Sequence, residues 1–576
     1  PFAGHVLNGF SYVSNRWIWA YGMLIAYIFV KIYPELFRLD IREKRRVFVL
    51  LLIYCGAALF SEAARTQRNM SAMLLLVFST AVILLYGSIF VRKRNLCLMM
   101  SGLLTVGIFF NIYYQYSMEK DYLSEFADRG KAMETLESGT DLAVLDSEDT
   151  SVYRYDQLDA LSCENSSMHM GTNSTSYYFS VASGNIGEFF DEMYLNTPWE
   201  QHYENLDGRT ILDRLASVKY FVVKNNRYQY VPYGYYWLEG RAEKIYEAFG
   251  SEEALPLGYT YDSFIPGEEY EKMTVTEKQQ ALLQGIVLED SSLPEITPEF
   301  NDQEIPYEIR KGKGCSVKDG KIKVTKEGAK LELLFNGLEN SETYLIAEGL
   351  DYDGLSPKDR VSEKKWNKMT RYEQNQLLHE DSHWRYWKES QKASITVGGQ
   401  FPEKTIRIFT DKYNAYSGKH NFLCNTGYEK AAKQSITLTF EKPGVYTFDK
   451  LKIVCQPMER ITKQTEKLNQ EVLTDIRMDT NRITGNISLS EPKGLLISVP
   501  YSKGFRAYVD GKETELKKAN TMYMALELPK GEHELRLEYR TPFLMPGICL
   551  TLAGGLCYIC LVFVRMKLNK KKVPKV

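Results

Sequence analysis

With 71 Lys and Arg against 73 Asp and Glu over 576 residues, the chain has a formal net charge of −2 and no global pull toward nucleic acid or an acidic polymer. Its mean hydropathy of −0.31 would suggest a soluble protein, but that value averages a few very apolar runs with one long polar stretch, and the runs have to be read separately. Five of the nine cysteines (Cys55, Cys97, Cys549, Cys557 and Cys560) sit in apolar runs, and the four in the polar region, Cys163, Cys315, Cys424 and Cys455, form no CxxC pair that would point to zinc or thiol redox chemistry.

The chain begins at Pro1, with neither Met nor a signal peptide, and reads as a piece of a longer polypeptide. A helix crosses the bilayer core with about 20 apolar residues. Four such stretches open the chain, near Trp17 to Tyr33, Val47 to Phe60, Met70 to Val91 and Leu96 to Ser117. Residues 1–117 are therefore predicted to be part of a transmembrane helix bundle.

Residues 118–290 mix helical stretches (Asn185 to Tyr194, Glu239 to Phe249, Val275 to Leu288) with short apolar runs such as Val218 to Val223, which predicts an α+β domain. Over residues 291–541 alternation dominates. Lys321 to Leu334, Ala393 to Phe409, Gln434 to Phe440 and Leu495 to Val499 read as strands of a β-sandwich, with helical insertions near Pro357 to Gln391 and Met458 to Leu473. At the end of this region, Phe505 to Val509, an Asp510-Gly511 hairpin turn, Met522 to Leu528 and His533 to Tyr539 follow in order. Residues 542–576 hold a fifth span, Phe543 to Val564, and a basic tail.

Lys and Arg flanking a span are retained on the cytoplasmic side. Clusters at Arg42 to Arg46, Arg92 to Arg94 and Arg565 to Lys572 fall on one side when all five spans cross the membrane. The segment near Glu62 to Arg68 and everything from about Tyr122 to Thr541 then lie outside the cell, as the large domain of a multi-pass cell-membrane protein.

Two groups of residues suggest chemistry. His379-Glu380-Asp381-Ser382-His383 fits the zinc-protease HExxH pattern, in which two His one helical turn apart bind the metal and the Glu is the base. A charged Asp381 and polar flanks predict a solvated insertion instead, and no metal or cofactor is identified. The second group lies at the outer membrane face: Asn8 and Asn15 to Trp17 entering the first span, with Glu62, Arg65 and Arg68 in the next loop. Arg there holds a lipid-linked phosphate in a bidentate manner, and Asn orders sugar hydroxyls.

Asn8-Gly9-Phe10-Ser11-Tyr12 with Asn15-Arg16-Trp17 resembles the signature of the YfhO family of bacterial membrane proteins. Further blocks match in order: Arg209 to Leu215 leading into Val218 to Phe221; Leu255 to Tyr259; Val499 to Phe505 with Val509 to Lys512; and Leu528 to His533. The resemblance implies a glycosyltransferase of the polytopic C superfamily in a Gram-positive bacterium. Such an enzyme moves a sugar from a polyprenyl-phosphate donor to an envelope polymer such as lipoteichoic acid. It further implies an outer-loop carboxylate base, expected upstream of Pro1, with Glu62 as the carboxylate available in the short outer loops present. Arg16, Arg65 and Arg68 are then the expected donor-phosphate contacts and Asn8, Asn15 and Trp17 the expected substrate contacts. The reading from another class is a non-catalytic, membrane-anchored carbohydrate-binding or scaffolding protein.

Overall fold

The computed structural model describes residues 18–33, 35–60, 67–85, 93–116, 129–131, 145, 149–158, 165, 167–168, 171–179, 181–196, 202–242, 246–318, 320–355, 358, 361–380, 392–398, 403–411 and 416–571. The chain divides into two compact units, Pro1–Thr135 and Leu136–Val576.

In the first unit, four helices occupy the predicted apolar stretches: Ile18–Ile32, Ile41–Phe60, Gln67–Leu84 and Lys93–Tyr116. Their apolar side chains are largely exposed, including Phe29, Leu50, Phe78 and Phe109. By length and composition, the one described helix able to cross a bilayer is in the second unit, where the 25 residues Leu544–Leu568 are apolar and unburied. The apolar parts of three early helices are shorter, at Trp19–Ile32, Ala72–Leu84 and Cys97–Phe109.

The second unit is rich in sheet. Near its start, Arg154–Gln157 runs parallel to Val218–Lys224, which pairs antiparallel with Tyr246–Gly250, and Tyr236–Ala242 closes the edge. The helix expected over Glu239 to Phe249 is therefore replaced by these last two strands. Its charged helix formers Glu239, Arg241, Glu243, Lys244 and Glu247 favour helix locally, but Ala248 and Phe249 are buried opposite Val222 and Phe221, and tertiary pairing overrides propensity. The helix expected over Val275 to Leu288 stops early: Val275–Ala281 is helical, and Ile286–Leu288 is a strand paired with Phe264–Pro266.

Three sheets of the middle region enclose a common apolar cluster that includes Leu331, Leu333, Leu345, Ile395, Phe440 and Ile453. The run Lys321 to Leu334 supplies two strands to different sheets, Lys321–Val324 and Ala329–Phe335, while Ala393 to Phe409 forms the paired strands Lys392–Gly398 and Lys404–Phe409. Two helices, Glu363–Trp366 and Arg371–Glu380, lie in the first expected insertion and Ile461–Leu468 in the second. Cys315, Cys424 and Cys455 are free thiols.

At the C-terminal end, Thr474–Asp479, Arg482–Leu489, Gly531–Tyr539, Phe505–Val509 and Lys512–Thr514 form one sheet in that order. Lys517–Ala519, Tyr523–Leu528, Lys493–Pro500 and Gly258–Tyr261 form another. Ile483, Leu535 and Leu537 from the first meet Leu495, Ile497, Met524 and Leu526 from the second in one buried cluster. The Asp510-Gly511 turn has φ of 52° and 77°, the left-handed pair that a two-residue hairpin requires. Strand Gly258–Tyr261 comes from far upstream yet pairs with Lys493–Pro500, with Gly258 opposite Ile497.

Candidate functional site

Asn8, Asn15, Arg16, Trp17, Glu62 and Arg65 lie outside the described residues, and Arg68 falls on the helix Gln67–Leu84. His379 falls on the helix Arg371–Glu380, while His383 lies outside the described residues. Among the described residues, no three His, Cys, Asp or Glu side chains converge on a metal position.

The structure does describe the Arg209 to Leu215 block, as the core of a buried polar hub. Helix Thr210–Leu215 is buried at every position. Arg209 donates through Nε and Nη2 to Gln279 Oε1 at 2.9 and 2.6 Å, and through Nη1 to the Met193 carbonyl at 2.6 Å. Gln279 is held by helix Val275–Ala281, whose start is fixed by the reciprocal Thr274–Glu277 capping box. Arg214 pairs with Glu253 and donates to Thr465 Oγ1 at 3.1 Å. Just upstream, Asp207 takes Lys404 Nζ at 2.8 Å and the Asn425 amide at 2.6 Å.

The hub also holds three buried carboxyl groups, Asp156, Asp213 and Glu342. Burial raises the Asp156 carboxyl above its usual range, although it accepts from the Gln157 amide at 2.6 Å, Thr175 Oγ1 at 2.7 Å and the Leu206 amide at 3.1 Å, contacts that pull the other way. Among the described residues no donor reaches the Asp213 oxygens. Burial first, and then the neighbouring Asp156, push the Asp213 carboxyl well above the usual range, which favours its protonated form. Because Arg209, Asp213 and Arg214 are fully shielded from solvent, this block organises the fold, and the solvent-reachable chemistry lies elsewhere.

Polar groups reach solvent in a cleft of about 690 Å³ bounded by residues 149–153, 251–256 and 469–476, together with Ser217 and Lys219. One wall is rigid. Asp149 accepts from Ser151 Oγ at 2.6 Å, Tyr220 Oη at 2.8 Å and Lys219 Nζ at 2.5 Å. Burial alone would raise its carboxyl, but Lys219, Ser151 and Tyr220 outweigh that and bring it down to about 2. Lys219 Nζ also sits over the rings of Tyr153 and Tyr220, which meet edge to face at 4.8 Å. Facing this wall are Asn469, Thr474 and Asp475, with Leu255, Pro256 and Leu473 as apolar lining. Hydroxyl, amide and carboxylate groups around an apolar, aromatic-edged floor suit a polyhydroxylated ligand, whose hydroxyls need partners and whose C–H faces need cover.

Sequence reasoning passed over this cleft. Its walls come from segments some 300 residues apart, and the one local signal, Lys219-Tyr220 in the matched block, carries no catalytic pattern.

The sheet-rich region runs directly into an apolar helix that by length and composition could cross a membrane. The chain belongs to the family described as bacterial membrane protein YfhO, whose family model matches residues 1–551. It is 23% identical over 586 aligned positions to the uncharacterized protein YfhO of Bacillus subtilis (strain 168). That alignment covers 98% of this chain and 62% of the relative, so the chain spans less than two thirds of the relative's length. Among solved structures, the arabinofuranosyltransferase AftD from Mycobacteria matches 26% of this chain and 12% of its own at 14% identity, with a TM-score of 0.11, a superposition that carries no argument.

Proposed function

We propose that this chain is the C-terminal part of a multi-pass membrane glycosyltransferase that moves a sugar from a polyprenyl-phosphate donor to a cell-envelope polymer, such as lipoteichoic acid, on the outer face of the membrane. The observation that carries this reading is the position in the chain of the cleft-bearing, sheet-rich region, with apolar helices before it and the apolar helix Leu544–Leu568 after it. A region tied to the bilayer at both ends stays at the membrane surface, where a lipid-linked donor presents its head group. The basic residues Arg565, Lys567, Lys570, Lys571 and Lys572 favour a cytoplasmic tail and an extracytoplasmic sheet region. The two C-terminal sheets, sharing one apolar cluster, act as a β-sandwich that carries the polymer past the membrane surface.

In this mechanism an acceptor hydroxyl attacks the anomeric carbon. The bond from that carbon to the lipid phosphate oxygen breaks with inversion, a carboxylate takes the hydroxyl proton, and the phosphate leaves with the electron pair. Arg16, Arg65 and Arg68 hold that phosphate, Asn8, Asn15 and Trp17 contact the sugar, and the cleft beside Asp149 and Lys219 guides the acceptor chain.

The test uses the full-length protein in lipid nanodiscs, a polyprenyl-phosphate donor carrying a radiolabelled hexose, and purified envelope polymer. Label entering the polymer is expected. Polymer binding without transfer would overturn the enzyme reading and favour a carbohydrate-binding scaffold.

A further inference from the structure

Three apolar side chains stand exposed at residues 168, 179 and 181, on segments that a chain of hydrogen bonds links to the turn before the C-terminal helix. Met168, Phe179 and Val181 are 79%, 54% and 76% exposed. The segments that carry them are pinned together, since the Asn165 side chain donates to the Tyr178 carbonyl at 2.9 Å and accepts from the Tyr178 amide at 3.0 Å. The Tyr178 ring packs on His202 at 4.5 Å. A solvated loop has no need of three exposed apolar side chains on segments pinned to each other.

The position of these tips follows from hydrogen bonds to the membrane-proximal turn. Ser183 Oγ and Asn185 Nδ2 both donate to the Tyr501 carbonyl, at 3.4 and 2.9 Å. Val181 precedes Ser183 by two residues, a reach of at most about 7 Å. Tyr501 opens the turn that ends at Gly504, whose carbonyl accepts from the Arg540 amide at 2.9 Å. Phe505 pairs with Tyr539, ring centroids 4.9 Å apart, and the membrane-length helix begins at Leu544. Lys503 and Arg540 are exposed at this same end, where cations meet lipid head groups. The Asp510-Gly511 turn lies at the opposite end of strand Phe505–Val509, about 16 Å away at the usual rise per residue.

We infer that Met168, Phe179 and Val181 dip into the interfacial layer of the bilayer, with Lys503 and Arg540 at the head groups, and fix the sheet-rich region against the membrane. The occupant is lipid because the covalent anchor at Leu544 brings the membrane to this end of the strands. Apolar tips beside basic residues are the composition that binds an interface without spanning it. Nothing in this inference depends on the glycosyltransferase reading.

The test uses the full chain in a background lacking native cysteines, with Phe179→Cys, Val181→Cys, Lys512→Cys or Phe543→Cys labelled by an environment-sensitive fluorophore. Each is placed in nanodiscs of phosphatidylcholine and phosphatidylglycerol, with or without phosphatidylcholine carrying a nitroxide on its acyl chain. Positions 179 and 181 are expected to be quenched several-fold more than 512 and nearly as much as 543. Quenching at 181 no greater than at 512, while 543 is quenched, would overturn the inference. Blue-shifted but unquenched emission at 181 would overturn it as well, by showing that protein covers the tips.

Discussion

Thr210 and Glu342, 132 residues apart, meet in the buried hub: Glu342 Oε1 accepts from the Thr210 amide at 3.2 Å and from its hydroxyl at 2.5 Å. The same hydroxyl accepts from the Tyr233 amide at 3.0 Å, and the other Glu342 oxygen accepts from Tyr344 Oη at 2.6 Å. Thr210→Val keeps the shape of the side chain but strips one donor from Glu342 and leaves the Tyr233 amide unpaired. Each buried group left without a partner costs about 1 to 3 kcal/mol. The variant is therefore expected to lower the urea midpoint of the detergent-solubilised protein clearly. A midpoint equal to the parent's would remove this contact from the forces that join the two regions.

Asp213 and Asp156 provide a sharper comparison. A neutral Asp213 is mimicked by Asn, so Asp213→Asn is expected to unfold close to the parent. Asp156→Asn replaces an acceptor of three hydrogen bonds by a group that accepts through one oxygen only, and should be markedly less stable. The sign with pH follows. Asp213 has a raised folded pKa, so its contribution is complete below the unfolded value and falls away as pH rises through the folded value. Unfolding followed upward in pH from the ordinary aspartate value of 3.8 should show the parent losing stability as pH rises and Asp213→Asn losing less of it.

Glu527 has the opposite sign. It accepts from Ser292 and from Lys517 Nζ at 2.8 Å, and these contacts outweigh burial to bring its carboxyl from 4.5 down to about 2. A depressed folded pKa stabilises above the unfolded value, and that stability is lost as pH falls from about 4.5 toward about 2. Glu527→Gln should therefore flatten the acid limb of a stability–pH profile in that window. An acid limb identical to the parent's would contradict the assignment.

How far the fold was legible depended on whether a signal was local. The Asp510-Gly511 turn needs two left-handed residues, and the apolar run after Thr541 needs only composition, so both could be read in the sequence. The strands Tyr236–Ala242 and Tyr246–Gly250 could not, because the charged run Glu239 to Glu247 lacks the alternation of a strand and the pairing edge, Val218–Lys224, is supplied only by the fold. Gly258–Tyr261 was equally hidden, since its partner lies more than 200 residues downstream. The Arg209 to Leu215 block is legible as a pattern, but nothing local in it shows that Arg209, Asp213 and Arg214 are interior, because their burial depends on tertiary partners such as Gln279, Glu253 and Thr465.

Orientation has a direct test of its own. Lys/Arg clusters near a span are costly to translocate, so Lys44 is expected in the cytoplasm and Lys512 outside. Single cysteines at these positions, in a background lacking native cysteines, should react with a membrane-impermeant reagent in intact cells at 512 and remain unlabelled at 44. Labelling at 44 would reverse the topology.

The proposed glycosyl transfer is tested most directly by the sugar content of the envelope polymer in cells lacking the native copy of the full-length protein. Restoring the parent protein is expected to restore glycosylation. At matched membrane levels, Arg16→Lys and Arg65→Lys are each expected to restore far less, because a bidentate phosphate contact does not survive exchange of guanidinium for ammonium. Losing one fixed stabiliser of the departing charge costs about a hundredfold to a thousandfold in rate. Glycosylation unchanged by removing the protein would contradict the transferase reading itself, and parent-level glycosylation in both Lys variants would contradict the phosphate-holding role of these arginines.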